Sequence, residues 1–103
     1  VQDQSLAQHQ HVDSLDEITR AIYLEVPSAQ VVLFQAFFEL FEGVGIVRTL
    51  SIRKSLICIL TTKDQLEECF RILQALTPLI QSRQIARPEE ATQQLYLGYF
   101  GKH

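Results

Sequence analysis

Six residues near the middle of the chain, Leu56-Ile57-Cys58-Ile59-Leu60-Thr61, most restrict what this sequence can become. In an extended segment alternate side chains point to opposite faces. Here Leu56, Cys58 and Leu60 on one face, and Ile57 and Ile59 on the other, are all apolar. A sheet with one wet face alternates apolar with polar residues, so this strand requires cover on both sides. Whatever layer packs on one face, something must also lie on the back.

The flanking sequence supplies one layer. Residues 44–50 read as a strand, and the basic turn 51–55 is short enough to make residues 56–61 its antiparallel neighbour. Upstream, residues 19–26 (TRAIYLEV) alternate, with Ile22, Leu24 and Val26 opposed to Tyr23 and Glu25, as a strand of period two does. Pro27 and Ser28 stop that strand, and Ser28 is placed to cap a helix over residues 29–42. On that helix Ser28, Gln35, Glu39 and Glu42 share a narrow polar edge. Leu33, Phe34, Phe37, Phe38, Leu40 and Phe41 cover more than half the circumference, wider than one sheet contact requires.

Thr62 and Gln65 form a T-x-x-Q capping box before a second helix, whose stripe is Leu66, Cys69, Phe70, Leu73, Leu76 and Ile80. Pro78 should kink or divide that helix. The resulting order, strand, helix, strand, strand, helix and a candidate last strand, is a ferredoxin-like βαββα(β) pattern. It is an α+β fold with an antiparallel sheet and two helices on one face. Residues 1–17 read as a flexible polar tail, residues 18–82 as the folded domain, and residues 83–103 as a linker followed by an apolar arm or closing strand. A length of 103 residues suits one domain.

Gly43-Val44-Gly45 invites a phosphate-cradle reading, which the order of elements opposes. A phosphate loop runs strand, glycines, helix, so that free N–H groups at the helix start meet the anion. This chain runs helix, glycines, strand, and has no Gly-Lys-Ser/Thr. The glycines are therefore expected to be punctuation, with Gly43 closing the helix and Gly45 allowing close backbone approach or a bulge. His9, His11 and Asp13 stand in a Gln-rich tail that offers no scaffold for a metal, and His103 is terminal, so no metal or other cofactor is expected. No His lies in residues 18–82, which leaves a catalytic pocket without its commonest general base. A net charge of -3 and a single aromatic, Tyr23, on the central strands argue against nucleic acid. The absence of Asn argues against an acylphosphatase-like site. Cys58 and Cys69 read as small buried hydrophobes. No apolar run is long enough to span a bilayer, and the polar amino end has no signal pattern, from which a cytoplasmic protein is expected; a segment removed ahead of Val1 stays possible.

The stretches YLEV, FEGVGIVRTL and LICILTTKDQLEECFRILQAL together resemble a bacterial family, the domain-of-unknown-function family 4911, over residues 23–76. Glu42, Gly43, Arg48 and Thr49 are the matching polar and glycine positions. The resemblance implies the strand and helix order above; the family carries no accepted activity, so it transfers no catalytic role to these residues. The same stretch looks like a shortened ACT-type regulatory domain, which implies effector binding between paired domains, although Pro27-Ser28 stands where such domains carry a glycine-rich turn.

Together these features predict a non-enzymatic interaction or assembly module that self-associates, as a homodimer or with a larger protein, through the back of its sheet. The expected interface residues are Tyr23, Ile57, Ile59, Phe34, Phe38, Leu95, Tyr96, Tyr99 and Phe100, with the arm of residues 95–100 as the rival cover. Arg48, Arg53 and Lys54 are the expected anion or acidic-partner contacts. The alternative is an ACT-like small-molecule sensor in which Arg48 or Arg53 holds a carboxylate.

Overall fold

The structure, a computed structural model, describes residues 11–97, with Tyr96 and Leu97 in backbone alone. Strand β1 (Asp13–Ser14) and strand β2 (Thr19–Glu25) come first. A 3-10 turn, Ser28–Gln30, leads into helix α1 (Val31–Glu39). Strands β3 (Gly45–Ser51) and β4 (Leu56–Thr62) follow, then helix α2 (Leu66–Leu76) and strand β5 (Arg83–Ile85). Helix α3 (Glu89–Ala91) runs on into the wider π-type turns of Thr92–Leu97.

The strands form one antiparallel sheet with the path β1-β2-β4-β3, and β5 also pairs with β2. The α+β class read from the sequence is what the structure has. The strand scheme departs from a plain βαββα(β) chain in two places. Asp13 and Ser14, expected in the tail, pair with Ala21 and Arg20 of β2. The last strand among the described residues is Arg83–Ile85, where Ile85, Gln84 and Arg83 find the free edge of β2 opposite Tyr23, Leu24 and Glu25; Leu95 and the two residues after it are helical, and residues 98–100 of the expected arm lie outside the described residues.

The β4 pattern does what its two apolar faces require. Ile57 and Ile59 lie opposite Leu24 and Ile22 on one face, where both are fully buried against Phe34 and Phe38 of α1 and Cys69, Phe70 and Leu73 of α2. Full burial of each such side chain contributes about 1.5–3 kcal/mol. Leu56 and Cys58 face the back, in a second core with Ala21, Tyr23, Leu50, Ala91 and Leu95. The cover on the back is therefore the chain's own residues 88–97, with Leu15 from the β1–β2 turn and Ile85 of β5 at the margin. Gln94 Nε2, donating to the Leu50 carbonyl at 2.8 Å, and Glu90, paired with Lys54 at 2.6 Å, fasten that cover, and beneath it Tyr23 of β2 donates its hydroxyl to Asp13 of β1 at 2.6 Å. Arg87 reaches the same Asp13 carboxylate at 3.5 Å.

Gly43 has φ +82°, the left-handed conformation that glycine adopts at least cost, but it does not close the helix: α1 ends at Glu39 instead of Glu42, with Leu40 as its C-cap, and Gly43 serves the turn in which the Val44 N–H donates to the Phe41 carbonyl before β3. Ser28 does not cap α1. The 3-10 turn delays the α-helix to Val31, and the Ser28 hydroxyl instead reaches the β3–β4 turn, bonding the Ile52 carbonyl at 2.7 Å and the Ser55 hydroxyl at 2.8 Å. At the second helix the Thr62 hydroxyl accepts the Gln65 N–H at 3.3 Å, one arm of the expected capping box. Pro78 ends the helix instead of kinking it: α2 stops at Leu76, and the Thr77 hydroxyl donates to the Leu73 carbonyl at 2.9 Å.

Candidate functional site

Helix α1 has an unusual surface. Its buried side is Val31, Phe34 and Phe38, with the two Phe rings stacked at 6.2 Å. Its solvent side is also apolar: Val32 is 77% exposed, Leu33 48% and Leu40 73%, with Ala36 exposed between them. At 100° per residue these four positions form one continuous stripe. A surface helix ordinarily carries charge on that side, and one that is apolar all round is a helix meant to be covered twice. The charges sit at its ends. Glu39 and Glu42 are at the carboxyl end, where the helix dipole already concentrates negative charge and where no basic residue occupies the last turn. Next to the amino end stands the β3–β4 turn, tied there by Ser28, with Arg53, Lys54 and an Ile52 that is 67% exposed.

A second feature lies on the back of the sheet. Between the β1–β2 turn, β3, β4 and the helical cover is a cavity of about 270 Å³, lined by Leu15, Asp16, Thr19, Ile46, Arg48, Leu60 and Leu95. Asp16 is committed to its own turn, accepting the Ile18 N–H at 2.8 Å, the Thr19 N–H at 2.6 Å and the Thr19 hydroxyl at 3.2 Å. Those hydrogen bonds, Thr19 first, hold its carboxyl below the usual Asp range, with the nearby Arg20 adding to the effect. Arg48 makes no hydrogen bond or ion pair among the described residues. It stands opposite Cys58 in the β3–β4 register, and its charge slightly offsets the burial that pushes the Cys58 thiol up to about 11. Cys69, buried in the other core, is pushed to about 12.

A wider groove of about 640 Å³ runs past Glu25, Pro27, Lys54, Ser55, Thr77 and Arg83. Both of its cations are occupied, Lys54 by Glu90 and Arg83 by Glu25.

Residues 24–80 match the family model described as a domain of unknown function, DUF4911. The chain belongs to the DUF4911 family. The DUF4911 match takes in α1, β3, β4 and α2, and thus the whole apolar stripe and the Ile46, Arg48 and Leu60 walls of the cavity. The Leu15, Asp16, Thr19 and Leu95 walls lie outside the match. Neither the curated proteins nor the solved structures yield a match to this chain.

The residues singled out from sequence fall as follows. Tyr23, Ile57, Ile59, Phe34, Phe38 and Leu95 are all buried inside the protomer, at 2% exposure or less, so none offers a surface to a partner in this structure. Their size and aromatic character made them prominent, and the same properties drew them into the two cores. Tyr96 is described in backbone only; Tyr99, Phe100, His9 and His103 lie outside the described residues. Arg48, Arg53 and Lys54 do not converge: Arg48 is on the sheet's back, and the other two are in the β3–β4 turn. Of the stripe residues, Leu33 and Leu40 belong to the over-wide apolar arc read from sequence, while Val32 and Ala36 do not. The Asp16 and Thr19 wall carries a local signal, an Asp followed three residues later by Thr, that marks an Asx-type turn.

Among the described residues no helix is long and apolar enough to cross a membrane.

Proposed function

We propose that this DUF4911 chain is a non-enzymatic self-association module, a homodimer that pairs or assembles the proteins carrying it. In this reading α1 packs antiparallel on α1 of a second copy. The carrying observation is the stripe of Val32, Leu33, Ala36 and Leu40 on the solvent side of α1. The charge pattern favours a second copy over a foreign partner. Antiparallel pairing lays the Glu39 and Glu42 end of each helix against the amino end of the other, beside its Arg53 turn. An arrangement that is unfavourable within one copy becomes complementary across two. Such a contact is isologous and closes on itself, which suits a two-fold dimer. Ala36 at its centre allows helix axes to approach within the usual 8–10 Å or so.

The sheet's back, now covered from within, is replaced in this reading by α1 as the docking face. A ferredoxin-like arrangement is part of the same proposal. It is supported by β5 lying on the edge of β2 away from β4, where that scheme puts its last strand. A non-catalytic role is supported by two cysteines whose thiols stay protonated and buried.

Light scattering on an eluting size-exclusion peak tests the reading. The wild-type chain should elute at twice its 11.8 kDa mass, and V32E/L40E at the monomer mass with an unchanged circular dichroism spectrum. A wild-type protein that stays monomeric at micromolar concentration, or a double variant that stays dimeric, would overturn it.

A further inference from the structure

We infer that the cavity behind β3 and β4 is a binding site for a small organic monocarboxylate with a short apolar body, held by Arg48. Its walls are apolar from four directions: Leu15 from the hairpin, Ile46 from β3, Leu60 from β4 and Leu95 from the helical cover. At about 270 Å³ it is near the lower end of ligand pockets, which limits its occupant to a few carbons beyond the charged group. Asp16 is the one acid in the lining, and its hydrogen bonds and Arg20 already answer its charge. Arg48 is left as the open polar handle, and a guanidinium beside apolar walls recognises a carboxylate through two parallel N–H donors.

The site does not depend on the proposed dimer, since α1 lies over the opposite face of the sheet. Hexanoate serves as the probe and hexanamide, of the same shape without the charge, as its control. Titrations of the full chain followed by thermal shift and by methyl NMR should give saturable binding of hexanoate. The midpoint should rise, and the shifted methyls should be those of Leu15, Ile46, Leu60 and Leu95. R48Q should weaken binding at least tenfold while leaving the unliganded spectrum in place, and V32E/L40E should bind as the wild type does. No saturable hexanoate binding, equal binding of hexanamide, or an R48Q variant with unchanged affinity would overturn the assignment. Loss of binding in V32E/L40E with its fold intact would overturn the independence of the site from the dimer.

Discussion

Phe38 packs so closely on Gly45 that a β-carbon added at Gly45 would lie 3.3 Å from Phe38 Cε2. The same atom would fall 3.0 Å from Ile59 Cγ2 and 3.1 Å from the Leu60 carbonyl oxygen. A helix that presents an aromatic ring to the first residue of an edge strand can approach this near only if that residue has no side chain. This contact sets the height of α1 above β3 and thereby which of its residues remain outside.

Gly45→Ala should therefore destabilise by about 1–3 kcal/mol, since the Leu60 carbonyl belongs to the central strand and cannot retreat. Gly43→Ala meets nothing within 4 Å and carries only the backbone strain of its positive φ, about 1–2 kcal/mol. Urea denaturation of both variants checks the ranking. The distinguishing result is a double-mutant cycle: G45A should couple to F38L, whereas G43A should be additive with it.

The two thiols report separately on the two layers. Neither should react with a thiol reagent in the native protein at neutral pH, because burial raises both and closes access. Leu95→Ala removes a fully enclosed side chain from the back, at a cost of about 2–5 kcal/mol, and loosens the cover above Cys58. Mass spectrometry of pulse-labelled L95A should show Cys58 modified well ahead of Cys69. Equal rates would mean that the back is not a separately opening layer.

Asp16, Glu90 and Lys54 each contribute to the pH response. Hydrogen bonds from Thr19 and Ile18 lower Asp16, and the bond from Lys54 lowers Glu90, so what they contribute is complete above the ordinary carboxylate range. It is lost as pH falls through their lowered folded values. Lys54 is raised by its bond to Glu90, so its share is complete below the ordinary lysine range and is lost as pH rises through the raised value. Melting curves across pH should show both losses in the wild type. Glu90→Gln should soften the acid limb and the alkaline limb together, and Asp16→Asn the acid limb alone.

How far the sequence could be read follows from where its signals are local. The alternation in TRAIYLEV, the two-faced β4 run and the stripe of α2 each lie within a few residues, and each matches the structure, whereas the helix before Gly43 stops earlier, at Glu39. The closing strand at Arg83–Ile85 has no such pattern: three partly exposed residues pair there only because β2 leaves an edge free. The cover at residues 88–97 is equally non-local. Its buried members, Ala91 and Leu95, sit four residues apart in a polar stretch, and only the requirement of β4 for a second layer pointed toward them. Phe34 and Phe38, expected at an interface, are buried for a related reason. Phe34 and Phe38 fill the space over β3, leaving the smaller Val32, Leu33 and Leu40 outside.

The central claim, that α1 meets α1 of a second copy, is tested most directly by disulfide trapping. Ala36→Cys lies at the middle of the stripe, while Ala75→Cys on the exposed side of α2 gives a matched control; Cys58 and Cys69 are buried and stay silent. Under mild oxidation A36C should convert rapidly and almost wholly to a covalent dimer, and A75C should remain monomeric on denaturing gels. An A36C protein that cross-links no faster than A75C would contradict the account.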